Sequence, residues 1–347
     1  MNRRKTRTPM SFPMLRGRRR AAWAALSGVG IALLLAACSS APSPRPAVSR
    51  TPAAGATLAA GNPAATRTPA TAGVLSGSYV ALGDSYAAGL DIPDPTGATA
   101  GCGQSSGSYP FLVARSLRLQ LTDMSCSSAT IPSLTAAEAT GDGTNPAQLS
   151  ALSAGTALVT LGIGGNDVGW VKIITRCTEM DLIPVLMRGD SASGLAPCQD
   201  YYTSGGTDLI QQRIQAVAGQ LAETLTQIRH RAPRARVYVV GYPDLFPAAG
   251  GACRDTLGIT AGDIAFLNNE ELRLNGVLRQ VAQAAGDGYV DTYTPSEGHD
   301  ACASPASRWI EPLIVDAPAA PLHPNAAGEQ GLADAIVQAV RPRPSPA

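Results

Sequence analysis

The stretch Tyr79-Val80-Ala81-Leu82-Gly83-Asp84-Ser85-Tyr86-Ala87-Ala88-Gly89 delivers a serine from an apolar run into a turn of small residues. Tyr79, Val80 and Leu82 favour a strand, Gly83 permits a tight backbone, and Ala87, Ala88 and Gly89 let the next segment begin close to the hydroxyl. At the carboxyl end of a parallel strand such a serine faces substrate, which is where a nucleophile works. Two more stretches carry complementary chemistry. Leu158-Val159-Thr160-Leu161-Gly162-Ile163-Gly164-Gly165-Asn166-Asp167 is a second apolar strand, ending in glycines with the Asn166 amide at its tip. Leu322-His323-Pro324-Asn325-Ala326-Ala327-Gly328 sets a histidine in a loop ahead of an alanine-rich C-terminal helix. Ester cleavage by a serine needs a base beside the hydroxyl, a group that orients the base, and donors aimed at the developing oxyanion. His323 is of the type for the first task and Asn166 for the last.

This ordered set of three motifs resembles the SGNH (GDSL-type) hydrolases, close to their secreted actinobacterial esterases and lipases, over roughly residues 76 to 341. The resemblance implies a three-layer α/β/α sandwich with a central parallel sheet of flavodoxin-like order. It makes Ser85 the nucleophile and His323 the general base. It also implies an oxyanion hole built from the Ser85 N–H, the Asn166 side chain and a third N–H after the second strand. The family has glycine at that third place; aligning Cys126-Ser127-Ser128-Ala129-Thr130 puts Ser128 there. The family commonly carries an acid three residues before the histidine, where this chain has Ala320. The site is therefore expected to be a Ser-His dyad. A main-chain carbonyl from the stretch containing Trp309 stands as one orienter of His323, and Asp316 as the competing acid, with Pro318 and Pro321 between Asp316 and the histidine. No cofactor is implied.

The elements around these motifs alternate. Tyr109 to Gln120 reads as a helix and Leu121 to Ser125 as a strand. Ile210, Ile214, Val217, Leu221, Leu225 and Ile228 form one apolar helix face by their spacing of three and four. Arg236 to Gly241 reads as a buried strand, Leu267 to Val281 as a helix, Tyr289 to Asp291 as a short strand and Leu332 to Val340 as the last helix. Such alternation predicts a parallel sheet covered on both faces. Residues 170 to 207 are a long excursion between core elements that would line an acyl pocket, form a lid, or simply pack under a disulfide.

Residues 1–37 combine eight basic residues and no acid with an apolar run from Ala21 to Ala37, the pattern of a signal peptide. The run ends Leu35-Ala36-Ala37-Cys38, which resembles a bacterial lipobox and makes Cys38 the expected lipidation site. Residues 38–74 are rich in Ala, Pro and Thr and read as a disordered tether, 75–341 as one hydrolase domain, and 342–347 as a disordered tail. Without the signal peptide, 27 basic residues become 19 against 26 acids, about −7. That charge argues against nucleic acid as a partner and assigns membrane attachment to the lipid at Cys38. The chain is expected to be exported, monomeric and directed at a small-molecule or lipid ester.

Six cysteines beyond Cys38 suggest disulfides in an exported chain, with 15 pairings open. The family resemblance implies Cys102–Cys126, Cys177–Cys198 and Cys253–Cys302. No CxxC or HExxH is present and there are only three histidines, so no metal is expected. Gly103-Gln104-Ser105-Ser106-Gly107 matches a G-x-S-x-G elbow, but no apolar strand precedes it. Gly162-Ile163-Gly164-Gly165 lacks the third glycine of a dinucleotide site, since Asp167 stands in its place. His230 suits a helix C-terminus, and loop-borne His299 is the alternative base. A carboxylesterase or lipase is the leading function; deacetylation of a cell-envelope glycan and an inactive binding lipoprotein of the same fold, favoured only by Ala320, are the alternatives.

Overall fold

In the computed structural model, residues 76–192, 194–249 and 253–341 are described. The expected signal peptide, Cys38, the tether of residues 38–74 and the tail 342–347 lie outside them. In chain order the strands are β1 (Ser78–Gly83), β2 (Gln120–Asp123), β3 (Glu138–Thr140), β4 (Gly143–Asn145), β5 (Thr156–Gly162), β6 (Arg236–Val240) and β7 (Gly288–Val290). The helices are α1 (Ser85–Ala88), α2 (Tyr109–Leu117), α3 (Gly165–Val168), α4 (Trp170–Arg188), α5 (Pro197–Thr203), α6 (Leu209–Arg231), α7 (Arg254–Leu257), α8 (Ala261–Ala284) and α9 (Ala326–Val340).

Five strands form a parallel sheet in the order β2-β1-β5-β6-β7, the flavodoxin-like winding. Strand residues alternate between its two faces. Val80, Leu82, Val159, Leu161, Val237 and Val239 pack with α6 and α8, whereas Tyr79, Ala81, Leu158, Val240 and Val290 pack with α2 and α9. The result is the three-layer α/β/α sandwich. On α6 the stripe from Ile210 to Ile228 is buried along its length. Each such side chain contributes roughly 1.5–3 kcal/mol of transfer free energy.

The order of strands reverses between β1 and β5, and there the chain leaves both strands at one edge of the sheet. The register pairs Gly83 with Gly162. A Cβ on Gly83, which has φ +151°, would meet the Gly162 carbonyl oxygen at 2.3 Å, so this close approach excludes a side chain. The Ser85 and Asn166 turns are brought side by side by that pairing.

Some boundaries differ from the sequence reading. Helix α2 stops at Leu117 because Arg118 turns left-handed (φ 55°), and β2 starts at Gln120. The excursion of residues 170–207 is largely helical, as α4 and α5. The polar antiparallel hairpin β3–β4 has no apolar alternation that would announce it. Disulfides join Cys102 to Cys126, Cys177 to Cys198 and Cys253 to Cys302. The first ties the loop that follows the Ser85 turn to the loop after β2, and the second staples α4 to α5. Asp300 stands beside Cys253 and Cys302, but both sulfurs are committed to the disulfide, leaving no thiolate for a metal.

Candidate active site

Ser85 opens α1 directly after β1, and His323 lies in the loop that leads into α9. Their side chains meet: His323 Nε2 is 2.7 Å from Ser85 Oγ. The imidazole is held from three sides. Its segment pairs antiparallel with residues 309–311, through Glu311 N–H to the His323 carbonyl (3.0 Å) and Leu322 N–H to the Glu311 carbonyl (2.9 Å). The Tyr86 ring lies 4.8 Å from the imidazole, and the Tyr86 hydroxyl donates to the Leu322 carbonyl at 2.6 Å. Finally, the carbonyl oxygen of Pro321 lies 2.8 Å from Nδ1, which leaves Nε2 as the acceptor facing serine.

Neither expected orienter contacts His323. The Trp309 carbonyl accepts from Asn325 N–H at 2.7 Å, and its ring stacks on His299. Asp316 accepts from Arg308 Nη1 at 2.9 Å. The chain can use Pro321 because Leu322 takes a left-handed conformation (φ 60°), which folds the histidine back over the preceding carbonyl. Accordingly, Asp316→Asn is expected to lower kcat by less than about tenfold, since it removes a peripheral ion pair. A loss of several orders of magnitude at unchanged Tm would show instead that a carboxylate reaches the imidazole.

The other sequence candidates fall as follows. Asn166, in α3, directs its amide at the carbonyls of Ala129 (2.9 Å) and Ser127 (3.3 Å), one on each side of Ser128. Ser128 is exposed on that turn. The N–H groups of Ser85 and Ser128 donate to no group among the described residues. Ser105 is buried with its hydroxyl on the Pro93 carbonyl, and His299 directs Nδ1 to the Ser307 carbonyl, so both are occupied away from the pair. A cavity of about 250 Å³ opens beside Ser85, Asn166 and His323. Trp170, Val171 and Ile174 of α4 wall it with Leu245, Leu313 and Leu322.

A model of the GDSL-like lipase/acylhydrolase family matches residues 81–330. The chain belongs to this family. Lipase 2 of Streptomyces coelicolor is 38% identical over 258 residues, covering 74% of this chain and 83% of that protein. A lipase of Streptomyces rimosus is 31% identical over 256 residues, covering 72% and 82%. Of solved structures, phospholipase A1 from Streptomyces albidoflavus superposes with a TM-score of 0.60 at 25% identity, over 77% of this chain and 99% of that one. This GDSL-like hydrolase is a carboxylic ester hydrolase.

Two supports of its site carry no sequence signal. Asp84 caps α1 by accepting from Tyr86 N–H at 3.0 Å and also accepts from the Tyr242 hydroxyl at 2.5 Å. Tyr242 Oη in turn accepts from Gly165 N–H at 2.8 Å, so one hydrogen-bonded chain links the serine turn to the Asn166 turn. Burial pushes the Asp84 carboxyl up to about 7, against the lowering effect of those bonds. The second support is Glu311. Its carboxylate accepts from Asn325 Nδ2 (2.8 Å) and from the Asp316 (2.9 Å) and Ala317 (3.1 Å) N–H groups. Burial alone would raise its pKa, but these bonds and the Arg308 charge outweigh it and hold the group below the ordinary value. A carboxylate thus braces the histidine loop without touching the histidine.

Proposed function

We propose that this GDSL-like hydrolase cleaves esters by a Ser85–His323 dyad whose histidine is oriented by the Pro321 carbonyl. The observation that carries the reading is the 2.7 Å contact between Nε2 and Oγ beside an apolar cavity. His323 Nε2 takes the Ser85 proton as Oγ attacks the ester carbonyl, and Nδ1–H stays on Pro321. The tetrahedral oxyanion accepts from Ser85 N–H, Ser128 N–H and Asn166 Nδ2, whose long bond to the Ser127 carbonyl is the one exchanged for substrate. His323 returns the proton to the leaving alcohol, and water then releases the acyl group by the same steps. A carbonyl fixes the tautomer but stabilises the imidazolium less than a carboxylate does.

Asn166→Ala is expected to lower kcat by roughly 10²- to 10³-fold with little change in KM, the signature of a lost oxyanion donor. Equal damage to KM and Tm would assign Asn166 to holding the 127–129 turn only.

The apolar walls support an acyl group longer than acetyl, which favours a lipase or esterase over a glycan deacetylase. In p-nitrophenyl ester series, kcat/KM should climb about fourfold per added methylene until the cavity fills, following about 0.8 kcal/mol per buried CH₂. Fastest turnover of the acetyl ester would overturn this reading. The N-terminal composition supports export and a lipid anchor at Cys38 joined to the domain by the tether of residues 38–74.

A further inference from the structure

Helix α4 lacks the one-sided pattern of a surface helix. Trp170, Ile173, Ile174 and Cys177 fill its buried face. Yet Val171, Leu182, Ile183, Leu186 and Met187 stand between 49% and 79% exposed on the other side. A helix apolar on both sides belongs against a further apolar phase. From Met180 to Met187 the one charged residue is Asp181, and that side chain is buried.

Position and charge identify the phase. Val171, at the start of α4, is both 64% exposed and part of the cavity wall, so the helix presents apolar side chains at the cavity mouth as well as from Leu182 to Met187, with Lys172, Thr175, Arg176 and Glu179 exposed between them. Leu313 lines the same cavity and is followed by Ile314, 83% exposed, and Val315. Residues 76–341 hold 15 basic and 26 acidic side chains, but the exposed side of α4 carries Lys172, Arg176 and Arg188 against Glu179 alone. Basic residues set among apolar ones match an anionic lipid surface. A second copy fits less well, because a two-fold contact through this face would set two surfaces against each other that each carry three basic residues and one acid, a net like-charge juxtaposition.

We propose that the exposed face of α4, with Ile314 and Val315, docks this enzyme on an anionic lipid surface, so that ester substrate enters the cavity past Val171 directly from the lipid. The proposal rests on the cavity being the acyl site.

The test is hydroxyl-radical footprinting of the full chain with phosphatidylcholine vesicles that contain or lack phosphatidylglycerol. Because it reads single side chains, attachment through the N-terminal residues does not mask it. Oxidation of Met187, Leu186 and Ile314 should fall at least about threefold with the anionic vesicles and less with the neutral ones. A Leu182→Glu/Leu186→Glu variant should lose that protection at Ile314 and hydrolyse vesicle-borne ester at least about tenfold more slowly, while dissolved p-nitrophenyl butyrate is cleaved within about twofold of the parent rate. Unchanged oxidation on vesicle addition would overturn the proposal, as would protection that appears without vesicles as protein concentration rises, which would mark a second copy. Protection in a parent chain that turns over no dissolved ester would uphold docking and refute the catalytic reading.

Discussion

Ser85→Ala is expected to lower kcat by roughly 10⁶-fold, the scale seen when a serine nucleophile is removed from a working constellation. The folded state should be little affected. Ser85 caps no helix through its side chain; that task belongs to Asp84, and the Ser85 hydroxyl's bond is to His323. Its N–H survives the change, so the residual rate measures what the oxyanion donors and the cavity supply without a nucleophile. Thermal unfolding in parallel with ester hydrolysis separates the two effects. The control is Ser105→Ala, since that hydroxyl is buried on the Pro93 carbonyl and the variant should keep its turnover. Activity in Ser85→Ala with loss in Ser105→Ala would overturn the assignment.

His323→Ala is the second large effect, a loss of roughly 10⁴- to 10⁶-fold. In the proposed dyad base and nucleophile act as one unit, so the Ser85→Ala/His323→Ala double variant should be scarcely worse than either single one. The protonation of His323 offers a second readout. Burial pushes its pKa below the ordinary 6.5, outweighing the Pro321 carbonyl and the nearby Asp91 charge, which raise it. In the proposed dyad the imidazolium cannot accept the serine proton, so the active form would be present above that pKa and lost as pH falls through it. Imidazole NMR on a chain with only three histidines should therefore give a midpoint below 6.5 for the signal that His323→Ala removes. A midpoint raised above 7 would reveal a carboxylate at Nδ1.

The parts of this protein legible in sequence are those made by short segments. A strand that ends in small residues positions Ser85 whatever surrounds it, and the same logic holds for the glycines before Asn166. Short continuous apolar runs specify β1, β5 and β6, which are buried on both faces of the sheet, and a stripe of period 3.6 specifies α6. The excursion of residues 170–207 defeated the same reasoning: α4 is apolar on its buried and its exposed sides, so no single stripe marks it as a helix.

What surrounds the histidine was decided by tertiary structure. The family resemblance left a carbonyl near Trp309, and position along the chain left Asp316, as orienters, whereas the antiparallel pairing of residues 309–311 with the His323 segment directs the Trp309 carbonyl to Asn325, and Arg308 holds Asp316. The left-handed Leu322 then brings the Pro321 carbonyl onto Nδ1. Glu311 braces that loop over a separation of 14 residues to Asn325, and Tyr242 reaches Asp84 across 158. Contacts of that kind leave no local pattern, because neither partner's neighbours in the chain need any particular type for the bond to form.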